Sequence, residues 1–279
     1  MKISKAFEDY IEQQLKMRGA GRNTIIHVRL TGRSLIEVLG DKHLARLTCE
    51  DVAKWRNEIE AGRSMNTVRN RIVELRGCLR YWRFRGEKCI DYELIPVPKR
   101  RPFIPEFCTA EEVRQMIECS HLRRTRAIVS LLFSSGIRLS EMLQLDRDSI
   151  VGGSFSVKGK GGKIRVCFVD NRTQALIDEY LETRLDDNPA LFVSKHTQTR
   201  MTATNVQMAV KNAARAAGIA RHITPHSLRH SFASDYLHNG GNMRYLQVLL
   251  GHADLSTTAH YSHFVDQDLY RAYRAHHSC

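Results

Sequence analysis

Residues 94–106, which read LIPVPKRRPFIPE, hold four of the six prolines in this chain of 279 residues. Proline cannot continue a helix, because it lacks a backbone N–H and its ring clashes with the preceding turn. Proline-rich stretches also form stiff, extended spacers between domains. The segment therefore predicts two domains, at residues 1–97 and 107–279, joined by a basic linker at residues 98–106.

The first domain carries the pattern of amphipathic helices. Its clearest helix is predicted from Ser64 to Arg85, where apolar residues recur in steps of three and four. That stripe consists of Met65, Val68, Ile72, Leu75, Leu79 and Trp82. Other helices are predicted from Asn23 to Gly40 and from a capping box at Thr48–Asp51 to Gly62.

Basic side chains flank this stripe and continue into the linker. The two flanks carry five arginines against one acidic residue, Glu74. A solvated basic face explains any one of them, but the group as a whole indicates contacts with DNA phosphates. The predicted DNA-binding residues are Arg69, Arg71, Arg76, Arg83 and Arg85 in the helix and Lys99, Arg100 and Arg101 in the linker.

The charge balance predicts an anionic partner. The chain has a net charge of +13, with 19 Lys and Arg against 13 Asp and Glu in residues 1–97, and 24 against 17 in residues 98–279. Two basic domains suggest a clamp around a rod-like polyanion such as double-stranded DNA. A membrane surface is the weaker alternative, since no apolar run could span a bilayer and no signal peptide begins the chain. A cytoplasmic protein is expected.

The second domain changes its periodicity midway. A capping box at Thr109–Glu112 and an apolar helix at Ile128–Phe133 are followed by a helix at Ile137–Leu145. Residues 154–157 and 163–169 then alternate as two strands joined by a glycine-rich turn. Further helices are predicted at Arg172–Arg184, Thr204–Ala217, Pro225–His238, Asn242–Leu250 and Ser256–Phe264. The fold class is therefore mainly α, with a small antiparallel sheet.

Two familiar site patterns are incomplete in this domain. The stretch Gly159–Lys163 is rich in glycine and lysine, but it joins strands and lacks the P-loop spacing. His226 and His230 are four apart on a helix, yet no general-base glutamate or third ligand accompanies them. The seven scattered cysteines form no Cys-x-x-Cys pair, so neither a disulfide framework nor a thiolate zinc site is expected.

An anion site accounts better for the same region. His226 and Arg229 share one helix face, and Thr224 and Pro225 are suited to start that helix, so His226 is expected near its positive end. Arg138 follows a Ser-Ser-Gly turn, and Lys160 lies in the hairpin. A helix cap, a solvated lysine or a surface histidine would explain each residue alone.

Four segments carry a specific resemblance. GIRLSEMLQL (136–145), VKGKGGKIRV (157–166), PHSLRHSFAS (225–234) and LGHADLSTTAHYSHF (250–264) resemble the signature segments of the tyrosine recombinases, the phage integrase family. Their order and gaps match the compact, Xer-like members. The resemblance covers residues 106–264, and it implies a catalytic domain preceded by a helical, SAM-like core-binding domain.

Carried over by position, the resemblance implies a catalytic set and one supporting residue. The catalytic residues are Arg138, Lys160, His226, Arg229, His252 and Tyr261, and Glu141 would orient Arg138 or its helix. In the implied reaction a tyrosine attacks a DNA phosphodiester and forms a 3′-phosphotyrosyl link, with no metal, ATP or other cofactor. Tyr236 and Tyr245 are nearby rivals for Tyr261, but their helical spacing predicts a packing role.

The resemblance also implies partners. Such proteins act on paired DNA sites as a homotetramer, and the free chain is expected to be a monomer. The tail after Tyr261 would form a helix that docks on a neighbouring protomer, or else fray. The short chain favours a simple recombinase of a plasmid or another mobile element, and accessory proteins stay open.

Three other functions are weighed against recombination. A type IB topoisomerase shares the chemistry but relaxes supercoils as a monomer, and the compact spacing argues against it. A catalytically silent DNA-binding protein would not need every catalytic position filled. A basic structural protein gives no reason for the ordered Arg, Lys, His, Arg, His, Tyr series.

Overall fold

The computed structural model describes residues 1–99, 106–159, 162–251, 271 and 273–277. The chain forms two compact units, Met1–Phe103 and Ile104–Cys279, and each has its own apolar core. None of the helices in the described ranges is both long and apolar enough to cross a lipid bilayer.

The first unit is helical. Its elements are α1 (Ile3–Tyr10) continuing as a π-helix (Ile11–Lys16), α2 (Arg22–Leu39), α3 (Cys49–Ala61) and α4 (Met65–Phe84), with short 3-10 helices at Leu44–Arg46 and Tyr92–Leu94. The capping box predicted at Thr48 is present, with Asp51 as its partner.

The apolar stripe of α4 forms the centre of this unit. Five of the six residues predicted for this stripe are buried, and the exception is Met65. Apolar residues at helical spacing are expected to face the core in this way. The indole N–H of Trp82 donates to the backbone oxygen of Ala6 at 2.9 Å, which ties α4 to α1. The flanks of α4 therefore keep a fixed orientation relative to the core.

The second unit combines helices with one hairpin. Its elements are α5 (Ala110–Glu118), α6 (Arg123–Ser135), α7 (Leu139–Met142), β1 (Ser154–Lys158), β2 (Ile164–Phe168), α8 (Asn171–Leu181), α9 (Ala203–Ala216), α10 (Pro225–His238) and α11 (Met243–Leu250). The strands pair antiparallel, with Ser154 opposite Phe168 and Lys158 opposite Ile164. The predicted fold class is confirmed.

Helix α6 is the central element of the second unit. It packs against α5, α8, α9 and α10, and most of its residues are buried. An apolar segment of this kind can only be stable when it is surrounded by other elements. Its C-terminal end therefore lies at a fixed place in the unit.

One predicted helix is much shorter than expected. Instead of Ile137–Leu145, α7 contains only Leu139–Met142, and Arg138 has extended backbone with φ −75° and ψ 149°. Gly136 ends α6 in the left-handed region, at φ 59°, so the chain turns before a new helix starts at Leu139. Beyond Met142 the N–H groups of Gln144 and Leu145 donate to backbone oxygens three residues back, so the α-helix does not continue. The helix predicted at Ser256–Phe264 lies outside the described residues.

The described part of the C-terminal tail packs on its own chain. Tyr273 is buried, its ring lies 5.8 Å from that of Phe168, and its hydroxyl is 2.6 Å from Ser134 Oγ. His277 pairs with Asp235 at 3.1 Å. These residues are therefore not frayed, and in the single chain they dock on the second unit itself.

Candidate active site

The end of α6 and the start of α10 meet at a glycine. A Cβ added to Gly136 would lie 2.4 Å from a ring carbon of Phe232, so no larger residue fits without a shift. The positive φ of Gly136 also favours glycine. This close approach brings Arg138, two residues after Gly136, into the same region as the first turns of α10.

Arg138 is held by a buried carboxylate. Its backbone N–H donates to Glu141 Oε2 at 2.7 Å, and its guanidinium Nη1 donates to Oε1 at 3.0 Å. The Glu141 side chain is only 2% exposed, whereas that of Arg138 is 36% exposed. Arg138 is thus anchored at one side and accessible to an external anion at the other.

Arg165 of β2 shares the same carboxylate. Its Nη1 and Nη2 donate to Oε1 and Oε2 of Glu141, both at 2.8 Å. Burial would raise the pKa of Glu141, but the hydrogen bonds from Arg165 and Arg138 outweigh it and lower that pKa to about 2. Glu141 is therefore ionised at neutral pH and binds two guanidinium groups.

Arg229 joins the ends of two helices. Its Nη1 donates to the backbone oxygen of Gly136 and its Nη2 to that of Leu250, each at 2.6 Å. Burial, followed by the charges of Arg138 and Arg165, lowers its pKa to about 10. Arg229 still carries its charge at neutral pH, and the two bonds leave it further N–H donors for a ligand.

His226 lies in the first turn of α10. Thr224 caps α10 and Pro225 lies in its first turn, as predicted, and Ser227 completes a capping box with Thr224. Burial and the charges of Arg229 and Arg138 lower the pKa of His226. Its ring is therefore mostly neutral at pH 7, the form that can accept a proton.

His226 also has a histidine neighbour. Its Nε2 lies 3.0 Å from Nε2 of His230, so one ring can donate to the other. Within the described ranges, no three His, Cys, Asp or Glu side chains are grouped in a way that could hold a metal ion.

The remaining catalytic candidates, Lys160, His252 and Tyr261, lie outside the described residues. The glycines directly before two of them, Gly159 and Gly251, are described. A Cβ on Gly159 would lie 3.5 Å from Glu141 Oε1 and 3.6 Å from Arg165 Nη1. Gly251 ends α11 at φ 64°, directly after the Leu250 carbonyl that Arg229 binds. The chain therefore enters both undescribed segments from within this cluster.

The rival tyrosines differ from each other. Tyr236 is fully buried, and burial raises its pKa, so the predicted packing role is confirmed. Tyr245 is 36% exposed, and the prediction of a packing role was wrong for it, because its side of α11 faces solvent.

The arginines of α4 are arranged separately from one another. Arg71 donates to Ser34 Oγ at 2.6 Å, Arg76 to the backbone oxygen of Ile95 at 3.0 Å, and Arg83 pairs with Asp91 at 2.6 Å. Arg85 lies over the Tyr81 ring. Arg69 and Lys99 also lie within the residues that the structure describes. Arg100 and Arg101 lie outside the described residues. Glu74 accepts from Thr31, so it is not held by these arginines.

Sequence reasoning missed Arg165. The hairpin segment drew attention to its lysine and glycines, and an arginine in an exposed-looking strand is ordinarily a solvated residue. The one available signal was Glu141 itself, because a carboxylate in an otherwise apolar helix needs a cationic partner.

The sequence is similar to that of known proteins. Residues 106–268 match the model of the phage integrase family. The chain is 32% identical to tyrosine recombinase XerA of Pyrococcus horikoshii, over 97% of this chain and 92% of that protein. It is 33% identical to tyrosine recombinase XerC of Alcanivorax borkumensis, over 88% of this chain and 85% of that protein.

Solved structures share the fold. XerH site-specific recombinase bound to palindromic difH substrate, in a post-cleavage complex, aligns with a TM-score of 0.69 and 25% identity, over 96% of this chain and 83% of that one. A lambda integrase tetramer bound to a Holliday junction aligns with a TM-score of 0.76 and 18% identity, over 93% of this chain and 80% of that one.

Proposed function

The chain belongs to the phage integrase family, and on that premise we propose that it is a site-specific DNA recombinase that cuts and rejoins DNA through Tyr261. The observation that carries this proposal is the convergence of Arg138 with His226 and Arg229 of α10, from two distant places in the sequence, beside the ends of α6 and α11.

The two arginines bind the scissile phosphate. When a tyrosine oxygen attacks, negative charge builds up on the non-bridging oxygens, and guanidinium groups can donate paired hydrogen bonds to them. Because Arg229 is fixed by two carbonyls and Arg138 by Glu141, little reorganisation accompanies the reaction. Such preorganised charge is usually the largest contribution to catalysis.

The remaining steps are assigned by the family resemblance. The bond from Tyr261 oxygen to phosphorus forms as the bond from phosphorus to the 5′ oxygen breaks. A free tyrosine has a pKa of about 10, so His226 or His252 takes the phenol proton or donates to the phosphate. Lys160 gives a proton to the departing 5′ oxygen. The 3′-phosphotyrosyl link retains the bond energy, and a second DNA end reseals it by the reverse reaction.

We assign residues 1–97 as a core-binding domain, residues 98–106 as a linker and residues 107–279 as the catalytic domain. The basic residues of α4 and the linker hold DNA phosphates, which position a duplex without reading its sequence. Limited proteolysis should cut the free protein within residues 98–106, and cognate DNA should slow that cleavage. A first cut inside residues 64–85 would contradict this division.

Double-stranded DNA is the substrate, and we propose that four copies assemble on two paired sites in the cytoplasm. Relatives bound to difH DNA and, as a tetramer, to a Holliday junction support this assembly. The outcome is integration, excision, inversion or multimer resolution, according to how the two sites are placed.

The decisive experiment traps the covalent intermediate. A cognate duplex is nicked so that the fragment released by cleavage diffuses away, which leaves protein on the 3′ phosphate. Tyr261→Phe removes one oxygen, so DNA binding should persist while the adduct disappears. Tyr245→Phe is the matched control, because this partly exposed tyrosine should be dispensable. An adduct mapped to a residue other than Tyr261 would refute the assignment.

A second experiment separates the recombinase from a topoisomerase. Two cognate sites on one plasmid should yield exchanged strands and Holliday junctions. Supercoil relaxation without strand exchange on the same plasmid would favour the topoisomerase, and tight binding without any adduct would favour a catalytically silent protein.

A further inference from the structure

Arg165 makes three directed hydrogen bonds with a side chain that is 10% exposed. Its Nη1 and Nη2 bind the Glu141 carboxylate in the bidentate manner, and its Nε donates to the backbone oxygen of Leu249 at 2.9 Å. The planar guanidinium thus links β2, α7 and the end of α11. No lysine could make these three bonds in one plane.

The base of the hairpin lies against this linkage. Gly159 is the residue before Lys160, and its N–H donates to the backbone oxygen of Lys163 at 2.7 Å, which closes the hairpin. A Cβ placed on Gly159 would lie in van der Waals contact with the side chains of both Glu141 and Arg165. Arg165 lies two residues after Lys163, on the strand that leaves the turn.

The same carboxylate also holds Arg138. Glu141 accepts hydrogen bonds from the Arg138 backbone N–H and guanidinium. Arg138 and strand β2 are therefore both anchored to one buried carboxylate. Any shift of β2 relative to α7 would have to break two charge-assisted hydrogen bonds inside the protein.

We propose that Arg165 is a positioning residue that fixes the hairpin carrying Lys160 relative to Arg138, so that the lysine can protonate the departing 5′ oxygen. This inference rests on the proposed function. Arg165 acts through other residues: its side chain is 10% exposed, and three of its N–H groups are engaged with Glu141 and Leu249.

The test uses two forms of the nicked substrate, one with the natural 5′ bridging oxygen and one with sulfur in its place. A thiolate is stable near neutral pH, since thiol pKa values lie near about 8.5. It therefore departs without a proton, and loss of the general acid should no longer matter. Single-turnover cleavage rates are compared on both substrates, alongside DNA affinity.

Arg165→Lys retains a cation beside Glu141 but loses the three-bond geometry. We expect cleavage of the oxygen substrate to fall roughly 10- to 100-fold, at most the lower end of the roughly 10²- to 10⁴-fold that a general acid contributes, because the lysine is misplaced and not removed. Cleavage of the sulfur substrate should fall no more than about threefold if only this contribution is lost. DNA affinity should stay unchanged.

Arg184→Lys is the matched control. Arg184 is 4% exposed, forms a bidentate pair with Asp186 and donates to a backbone oxygen, much as Arg165 does. Arg184 lines a cavity together with Arg123 and Arg124, the first residues of α6. The site lies at the other end of that helix, which is about 20 Å long by its residue count. We expect similar loss of thermal stability but normal rates on both substrates.

Wild-type protein and Lys160→Ala serve as controls that distinguish a failure of the proposed function from a failure of the positioning role of Arg165. If the wild type forms no adduct, or sulfur does not rescue Lys160→Ala, the proposed function fails. If both controls behave as expected and Arg165→Lys loses rate equally on both substrates, or loses none, the positioning role is overturned.

Discussion

Arg229 donates to two backbone carbonyls in the interior of the second unit, whereas Arg83 of α4 is half exposed and pairs with one carboxylate, Asp91, at the surface. The same side chain therefore serves two purposes. Buried guanidinium groups are fixed before a ligand arrives, and surface ones must be ordered when it binds. Under the proposed function, the arginines that the fold holds would serve catalysis, and those that it exposes would supply non-specific affinity for DNA.

The largest expected effect concerns the fixed arginines. Arg138→Lys and Arg229→Lys keep the charge but lose the paired donors, so cleavage should fall roughly 10²- to 10³-fold, as for the loss of one oxyanion donor. DNA affinity should change little. Single-turnover cleavage of the nicked substrate and a binding titration measure the two quantities.

Arg83→Lys is the surface counterpart, and we expect its cleavage rate to stay within about twofold, in keeping with weak surface ion pairs. Wild-type cleavage rates in both site variants would contradict the difference between fixed and surface arginines. An equal loss of rate in Arg83→Lys would contradict it as well.

The next effect compares two glutamates. The pKa of Glu141 is lowered from 4.5 to about 2, so its ionised form stabilises the folded state above about pH 4.5, and this stability is lost as the pH falls towards 2. The full difference corresponds to about 3 kcal/mol of unfolding free energy. In Glu141→Gln, the acid-dependent loss in the second unit should shrink by about this amount, while the part due to Asp186 and Glu112, whose pKa values are also lowered, remains. Stability at pH 7 should be lower.

Glu74 of α4 provides a control of opposite sign. Burial raises its pKa, so its ionisation opposes folding, and Glu74→Gln should leave the first unit as stable at pH 7 or more stable. Both tryptophans, Trp55 and Trp82, lie in the first unit, so their fluorescence follows that unit and circular dichroism follows both. A loss confined to tryptophan fluorescence in Glu141→Gln would contradict the assignment.

A smaller effect is expected for Arg85. It lies over the Tyr81 ring at the exposed end of α4, so its charge remains available to a phosphate. Arg85→Gln should reduce the slope of log affinity against log salt by about one. Titrations at several salt concentrations, on cognate and arbitrary DNA, should show the same reduction for both. A reduction on cognate DNA alone would indicate base contact instead.

The smallest effect is expected for Arg83→Gln. Because Asp91 already neutralises much of its charge in the free protein, the salt slope should change by clearly less than for Arg85→Gln. Equal slopes for the two variants would show that surface pairing does not limit phosphate binding here.

Much of the local structure could be predicted from the sequence. The stripe of α4, the helix caps at Thr48, Thr109 and Thr224, and the alternating strands depend on residues within one or two turns of each other. Short-range patterns of this kind are imposed by backbone geometry and are repeated in the sequence. The ordered signature segments likewise named Arg138, His226 and Arg229 without any structure.

The length of α7 could not be predicted from the sequence alone, since residues 137–145 have a helical composition. Its start depends on the left-handed turn at Gly136, which the approach of Phe232 favours from 96 residues away. The exposure of Tyr245 depended similarly on which face of α11 packs.

By itself the sequence determined the residue types of the site and their order. The long-range partners appear only in the tertiary structure: Arg165 on the Glu141 that the resemblance had already assigned to Arg138, and the ends of α6 and α11 on Arg229. Each of these bonds joins a charge to a partner, and all but the Glu141–Arg138 contact span separate elements. The cost of burying a charge is met only when such partners come together in the fold, and no local pattern records that meeting.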